Sequence, residues 1–220
     1  MDFKLEVPTA LEYFASLVQS DEHFPLLEAA ASLAQDEYPE LDIQQVLDQV
    51  DQLGSRLKQR LPADAGAMQK LRLLNKFFFE EQGFSGNLNN YYDPDNSYLH
   101  VMLRTRRGIP ISLAVLWLEL ALGLGLNAQG VGFPGHFLVK VRLPYPNEGQ
   151  VVIDPFTGES LSKEELSERL VPLHAESGLL RDGHVSDELL KHYLRAATPR
   201  EIVARMLRNL EEVYTSHQDP

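Results

Sequence analysis

The chain has 220 residues, contains no cysteine and carries a formal net charge of −12. It is long enough to bury a full core, but it can form neither a disulfide nor a thiolate metal site, and a thiol nucleophile is excluded. The acidic balance argues against a nucleic-acid binder or an anionic-membrane binder, since both need a basic face.

Neither a secretory leader nor a membrane span is expected. Residues 1–6 lack a basic region followed by an apolar run. The longest apolar run, residues 109–118, is interrupted by a serine and is too short to cross a bilayer. The absence of cysteine fits a reducing compartment. We therefore predict a cytoplasmic protein.

Amphipathic helices dominate the predicted structure of the first third of the chain. Apolar residues recur there with helical spacing in four segments, residues 8–20, 24–37, 42–60 and 66–82. Asp42 is a predicted N-cap and Gly83 a predicted C-cap. Residues 1–60 carry 12 acidic and 4 basic side chains, which we interpret as solvated outer faces. The expected organisation is an N-terminal helical region, residues 1–82, that packs on the rest of the protein.

The middle of the chain combines a long loop with a buried helix. Residues 83–97 are rich in Asn, Asp, Gly and Tyr and show no period, which is typical of a loop, and loops this long are often functional. A short helix is predicted over residues 97–106. The next helix, residues 110–123, holds one charged residue, Glu119, and is apolar all round. Such a helix is buried on every side, and we expect it to be the central helix of the core.

Three short strands and further helices are predicted after the central helix. Turn residues separate the strands, at residues 128–133, 136–143 and 150–154, and the short connections favour an antiparallel meander. Helices are predicted at residues 162–170, 186–195 and 199–215. Ser162 and Glu165 match a capping box. The last helix stops abruptly, as it would if a longer chain supplied its packing partner.

A serine, a histidine and an aspartate follow one another in this part of the chain. Ser112 lies in the first turn of the apolar helix, where free N–H groups and the helix dipole stabilise negative charge. His136 and Asp154 lie on neighbouring predicted strands, where an aspartate can orient an imidazole. The pattern predicts a catalytic constellation with Ser112 as nucleophile, His136 as base and Asp154 as orienting residue.

Each of these residues also has an ordinary structural interpretation. Serine commonly caps the first turn of a helix, a histidine at a strand end is more often structural than catalytic, and Asp-Pro commonly starts a turn. Serine also needs stronger activation than a thiol. The order of the three residues and their predicted elements favour the triad geometry, whereas turnover is one alternative and binding without turnover is the other.

Residues near the predicted triad are candidates for a substrate groove. Tyr91, Tyr92 and Asn96 are expected beside Ser112, and Asn96 is a candidate second oxyanion donor. Arg107 is a candidate for binding a substrate carboxylate, although pairing with the acidic helices is the alternative that we favour. The seven histidines are scattered without metal-ligand spacing, and no phosphate-binding glycine loop is present. No metal and no cofactor are expected.

Four segments of the chain together resemble a known family. They are residues 96–99, 107–114, 132–138 and 153–156, which read Asn-Ser-Tyr-Leu, Arg-Gly-Ile-Pro-Ile-Ser-Leu-Ala, Gly-Phe-Pro-Gly-His-Phe-Leu and Ile-Asp-Pro-Phe. The chain resembles the transglutaminase-like superfamily and, more closely, the bacterial SirB-one-type proteins. The resemblance implies an α+β fold of the transglutaminase or papain kind, with a central helix on a small antiparallel sheet over residues 83–170.

The same resemblance has two further implications. Ser112 would stand where the superfamily has its nucleophilic cysteine, and this difference puts acyl transfer through a thioester out of reach. Residues 171–220 would form C-terminal helices that begin a tetratricopeptide-like region.

Three functions are compatible with the sequence. The first is a protein- or peptide-binding module of weak or no catalytic activity, in which a transglutaminase-like groove holds an extended peptide. The second is a serine-dependent amidase or peptidase that uses Ser112. The third is a regulatory subunit that binds through the acidic N-terminal helices. We favour the first, and we expect a protein or peptide partner rather than nucleic acid or a membrane.

Overall fold

The computed structural model describes residues 8–145, 148–175, 180–181 and 184–216. It confirms an α+β fold, in which helices make up most of the molecule and a small antiparallel sheet lies beside the central helix. None of the helices in these ranges has the length and apolar character needed to cross a bilayer.

Helices form the first part of the chain. Their bounds are α1 Ala10–Leu17, α2 Leu26–Ser32, α3 Ile43–Lys58, α4 Ala67–Asn75 and α5 Leu99–Thr105. Asp42 caps α3 as predicted, because its carboxylate accepts the Gln45 N–H at 3.3 Å. The segment predicted as one helix over residues 24–37 leaves the α-helix after Ser32 and continues as a 3-10 turn. The short helix predicted over residues 97–106 is α5.

The helix predicted over residues 66–82 changes its winding. After α4 the chain continues as a π-helical turn, Lys76–Glu81, in which the Gln82 N–H donates to the Phe77 carbonyl at 2.8 Å. Successive side chains are separated by a smaller angle in this wider turn, so the adjacent Phe77 and Phe78 are both buried. A pattern based on the α-helical period cannot distinguish such a turn from a continuing α-helix.

The central helix, α6, spans Pro110–Gly123 as predicted. Its side chains are buried on nearly every side, and the fully buried Trp117 donates its indole N–H to the Asn75 side chain at 3.0 Å. Two short parallel strands, β1 (Ser85–Gly86) and β2 (Arg107–Gly108), lie at its start. These strands were not predicted, since two residues carry no periodic signal.

The predicted meander is present as an antiparallel sheet. Its strands are β3 Asn127–Val131, β4 Leu138–Leu143, β5 Gly149–Ile153 and β6 Ser160–Leu161, in that spatial order. β4 begins two residues later than predicted, because the His136 N–H donates to the Phe133 carbonyl at 3.0 Å and closes a turn. Gly135 in this turn has a φ of 66°. His136 therefore precedes the strand. The predicted turn at residues 144–149 lies partly outside the described residues.

The sheet carries a helical layer on each face. The further elements are α7 Lys163–His174, β7 Leu180–Arg181, β8 His184–Val185, α8 Asp187–Tyr193 and α9 Pro199–Ser216. Val139 packs with α6 in the main hydrophobic core, whereas its neighbour Leu138 packs with α7 and α8 on the opposite face. Ser162 and Glu165 form the predicted capping box at the start of α7.

The helix α9 closes the N-terminal helical region. It contacts α2, and its residue Ile202 belongs to the main core. At the start of α9 the Arg200 guanidinium binds Asp21 at 2.7 Å, and near its end the hydroxyls of Tyr214 and Tyr98 lie 2.9 Å apart. The main core therefore contains residues from α2 through to α9.

Candidate functional site

His136 and Asp154 form a hydrogen-bonded pair at one end of the sheet. The His136 Nε2 atom lies 2.7 Å from the Asp154 Oδ1 atom. Val139 of β4 stands opposite Ile153 of β5, so Asp154 directly follows β5 and His136 reaches it from the turn before β4. The imidazole is 22% exposed and the carboxylate 3%. The structure thus brings these two predicted site residues together.

Two further contacts hold Asp154 in its charged form. Oδ1 also accepts the Phe156 N–H at 3.0 Å, and Oδ2 accepts the Arg169 guanidinium at 3.3 Å. Burial, the largest single influence, raises the pKa of Asp154, but the contacts with His136, Phe156 and Arg169 outweigh it and lower the pKa below its usual value. Asp154 is therefore an ionised carboxylate that can orient the imidazole. Arg169 was not predicted, because its place beside Asp154 depends on how α7 packs.

The turn after β5 fixes the backbone of Asp154. Its N–H donates to the Glu159 carbonyl at 2.9 Å, and its carbonyl accepts the Gly158 N–H at 2.8 Å. Gly158 has a φ of 82°, and a Cβ at this position would lie 2.8 Å from the Phe79 ring. Glycine is required here both for its backbone conformation and for space.

The Ser112 hydroxyl forms hydrogen bonds with backbone groups at the start of α6. The side chain is fully buried. Its hydroxyl donates to the Asn96 carbonyl at 2.7 Å, lies 3.1 Å from the Ile109 carbonyl and accepts the Ile109 N–H at 3.1 Å. Within the described part of the chain, no hydrogen bond joins Ser112 to His136. In this structure the serine acts as a cap of the helix start, which was the ordinary interpretation of its position.

The backbone of Gly108 passes directly over the Ser112 hydroxyl. A Cβ at position 108 would lie 2.7 Å from Ser112 Oγ and 3.0 Å from the Met102 sulfur. The Gly108 carbonyl in turn accepts the Asn87 N–H at 3.1 Å, which extends the pairing of β1 with β2. The hydroxyl is therefore covered by backbone and does not face a groove.

Asn96 organises the loop that precedes α5. Its amide nitrogen donates to the carbonyls of Asn90 at 2.6 Å and Tyr91 at 3.2 Å, and its amide oxygen accepts the Asn87 side chain at 2.9 Å. The residue is buried. Because both amide hydrogens are directed at loop carbonyls, the predicted role as a second oxyanion donor is not available to Asn96 in this arrangement.

Aromatic side chains extend from the His136–Asp154 pair to the surface. The Phe156 ring lies 6.3 Å from the His136 ring and 6.0 Å from the Tyr91 ring, and the Tyr91 and Tyr92 rings are 5.4 Å apart. Tyr91 is 41% exposed and Tyr92 66% exposed. We call Tyr91, Tyr92 and Phe156 the aromatic surface. A Cβ at Gly86 would overlap the Phe156 ring, so the β1 backbone supports this ring closely.

Arg107 contacts the backbone near β1. Its guanidinium donates to the Gly83 carbonyl at 2.8 Å and to the Arg106 carbonyl at 2.9 Å. The favoured alternative from the sequence, a pair between Arg107 and an acidic helix, is not what the structure shows. Arg107 instead ties the start of β2 to the end of the π-helical segment.

The arrangement offers a polarised imidazole beside an aromatic surface. The His136 Nε2 atom is directed at the ionised Asp154. The Nδ1 atom makes no hydrogen bond within the described residues, and the imidazole is partly exposed to solvent. No group of three or more His, Asp or Glu side chains is placed to share a metal ion in the described ranges. This geometry suits hydrogen bonding to a ligand, or proton exchange with a group brought to Nδ1.

Comparisons with known proteins agree with this fold. A family model described as the transglutaminase-like superfamily matches residues 44–208. A UPF0162 protein of Xylella fastidiosa is 41% identical over 198 residues, which is 89% of this chain and 67% of that protein. A UPF0162 protein of Pseudomonas aeruginosa is 31% identical over 220 residues, which is all of this chain and 70% of that protein. The chain thus spans about two thirds of the length of these relatives.

A more limited similarity reaches a eukaryotic protein. Human F-box only protein 21 is 40% identical over 72 residues, which is 33% of this chain and 12% of that protein. No solved structure matches the chain. The family model and the bacterial relatives cover most of the chain, and it therefore belongs to the transglutaminase-like superfamily and, within it, to the UPF0162 family.

Proposed function

We propose that this protein is a protein- or peptide-binding module in which the aromatic surface and the His136–Asp154 pair bind an extended segment without acyl transfer. The observation that carries the proposal is the orientation of Ser112, whose buried hydroxyl donates to the Asn96 carbonyl. A nucleophile must be within reach of its base and open to substrate. The helix-capping orientation meets neither requirement.

The aromatic surface supports binding of a peptide. Tyrosine and phenylalanine rings supply a large apolar contact area at a low entropic cost, and tyrosine hydroxyls also form hydrogen bonds. His136 Nδ1 adds a polar group at the edge of this surface, and Asp154 fixes the orientation of the ring. A chain segment laid across the rings can therefore be held by apolar contacts and positioned by one oriented hydrogen bond.

We further propose that the protein is a cytoplasmic SirB-one-type protein with tetratricopeptide-like C-terminal helices. The four resembling segments support the assignment to this type, since they contain His136, Asp154 and Phe156 together with the start of α6. The absence of cysteine supports a reducing compartment.

Selection from a random peptide library displayed on phage is expected to yield peptides that bind the intact chain. Replacing Tyr91 or His136 by alanine is expected to weaken binding of the selected peptides about tenfold, because each change removes an anchor of about 1–2 kcal/mol. Fluorescence anisotropy of the labelled peptides measures the effect.

Tyr145→Ala is the matched control for this experiment. Tyr145 is also exposed, but it lies at the opposite end of β4 from His136. Its replacement is expected to leave peptide affinity unchanged. Equal losses in all three variants, or no enriched peptides with the unmodified chain, would contradict the proposal.

A serine-directed fluorophosphonate probe is expected to leave Ser112 unmodified, because the hydroxyl is covered by the Gly108 backbone. Intact-mass spectrometry after incubation measures labelling, and Ser112→Ala protein is expected to bind the selected peptides as the unmodified chain does.

The alternative function is that of a serine amidase or peptidase. The hydrogen bond between His136 and Asp154 favours it, because a base and its orienting carboxylate are already in place. Stoichiometric labelling that disappears in Ser112→Ala would establish that alternative.

A further inference from the structure

A basic cavity lies next to the candidate site. It has a volume of about 300 Å³ and is bounded by the turn before β4, the segment after α8 and the helix α9. Gly132 and Phe137 form its wall on the sheet side. Three arginines also line it, Arg195, Arg205 and Arg208, together with one carboxylate, Glu201. Such a concentration of guanidinium groups stands out in a chain with a net charge of −12.

Among the residues that the structure describes, Arg195 is the one of these three arginines that forms an ion pair. Arg195 binds Glu201 at 2.8 Å, and the Glu201 carboxylate also accepts the Thr198 N–H at 2.8 Å. These contacts, the Arg195 hydrogen bond foremost, lower the pKa of Glu201 to about 2. Arg205 and Arg208 form no hydrogen bond and no ion pair within the part of the chain that the structure describes. Two guanidinium groups one helical turn apart therefore line the cavity unpaired, and the carboxylate that lines it with them, Glu201, is bound by Arg195.

The cavity and the aromatic surface lie along the same helix, α9. Phe137, which lines the cavity, directly follows His136 in the chain. On the other side, burial raises the pKa of Tyr91 while the charge of Arg205 acts in the opposite direction, so Arg205 lies within electrostatic reach of the Tyr91 phenol. Further along α9, Asn209 and Glu212 line a smaller cavity with Tyr91 and Tyr92. One face of α9 thus borders both features.

We propose that Arg205 and Arg208 form a carboxylate-binding subsite that selects acidic peptide segments, with the neighbouring peptide residues lying on the aromatic surface. This inference rests on the proposed peptide-binding function. A guanidinium group binds a carboxylate through two parallel hydrogen bonds, and two such groups around a cavity of this size fit one acidic side chain or a chain terminus. Free arginine charges give the specificity that apolar aromatic contacts lack.

An array of random octapeptides tests this subsite. The two central positions are fixed as Glu-Glu, Gln-Gln, Lys-Lys or a pair of phosphoserines, and binding of the full chain is read by fluorescence. The full chain is expected to bind the Glu-Glu pools about tenfold more strongly than the Gln-Gln pools. The double variant Arg205→Gln, Arg208→Gln is expected to lose this preference while keeping its binding to the Gln-Gln pools.

A charge-matched control separates the subsite from net charge. Arg104 and Arg142 are exposed and form no ion pair within the described residues, so Arg104→Gln, Arg142→Gln lowers the charge equally away from the cavity. It is expected to retain the Glu-Glu preference, and thermal unfolding checks that both double variants fold. Loss of preference in both would overturn the subsite.

The remaining outcomes separate the subsite from the function on which it rests. Equal binding of the Glu-Glu, Gln-Gln and Lys-Lys pools by the full chain would overturn the subsite and leave peptide binding intact, and this readout needs no variant. Stronger binding of the phosphoserine pools, competed by inorganic phosphate, would overturn the carboxylate assignment in favour of a phosphoryl group. Absence of binding to every pool would contradict both the subsite and the peptide-binding function.

Discussion

Replacing Trp117 by alanine is expected to lower the free energy of unfolding by about 3–5 kcal/mol. Trp117 is fully buried in the middle of α6, the helix that the main core surrounds. Its removal leaves a large cavity that the neighbouring elements can fill only partly. The indole N–H also donates to Asn75 at 3.0 Å, so part of the loss is a hydrogen bond.

Trp117→Phe is the matched variant for this change. It keeps an aromatic ring and removes the N–H, so a loss of about 1–2 kcal/mol is expected. Trp117 is the one tryptophan of the chain, so urea unfolding is followed by far-ultraviolet circular dichroism, because the fluorescence signal disappears with the residue. Equal stability of Trp117→Ala and the unmodified protein would contradict the position of α6 at the centre of the core.

Replacing Asp154 by asparagine is expected to lower the free energy of unfolding at pH 7 by about 2–4 kcal/mol. The carboxylate is buried and accepts hydrogen bonds from His136, Phe156 and Arg169. An amide of the same shape lacks the charge and presents hydrogen atoms where one of the acceptors stood. His136 then loses the group that orients it, so binding of selected peptides is expected to weaken together with stability.

The cost of the Asp154 change is expected to depend on pH. The pKa of Asp154 is lower in the folded state than its usual value, which is about 4 in an unfolded chain. A carboxylate of this kind contributes its full stabilisation above the unfolded pKa and loses it as the pH falls through the folded pKa. The difference in unfolding free energy between the unmodified protein and Asp154→Asn is therefore expected to be constant from about pH 5 to about pH 7 and to shrink below about pH 4.

Asp64→Asn is the control for the pH series. Asp64 is exposed and forms no ion pair within the described residues, so its replacement is expected to change stability by less than about 0.5 kcal/mol at each pH. Urea unfolding at several pH values between 3 and 7 measures both variants. A cost of Asp154→Asn that stays the same at pH 3.5 would show that the carboxylate charge is not its source.

The pairing of His136 with Asp154 was within reach of sequence analysis because it depends on local connections. Both residues flank strands of one meander, and the strands have short links, so their order along the chain also sets their order in space. An error of two residues at the start of β4 did not separate the pair, because a side chain in the preceding turn still reaches the end of β5. The apolar pattern of α6 likewise gave its bounds, since such a pattern requires burial on every side.

The orientation of Ser112 and the role of Arg169 were beyond sequence analysis. The acceptor of the Ser112 hydroxyl is a backbone carbonyl 16 positions away, and no side-chain type in the sequence marks it. Arg169 reaches Asp154 because α7 packs on the face of the sheet opposite α6. Phe156 was part of a segment quoted for its family resemblance, yet its contact with Tyr91 depends on how the long loop folds back.

The packing of α9 on α2 has a consequence for the time course of folding. The bond between Arg200 and Asp21 joins residues 179 positions apart, so this contact closes a very large loop. Contacts of such long range form late in folding, because closing the loop costs chain entropy before the contact contributes any stabilising free energy. At synthesis rates of about 5–20 residues per second, the side of α2 that faces α9 stays uncovered for roughly 10–40 s on the ribosome. The newly made N-terminal helices therefore expose apolar surface during that interval, and such transient exposure favours aggregation.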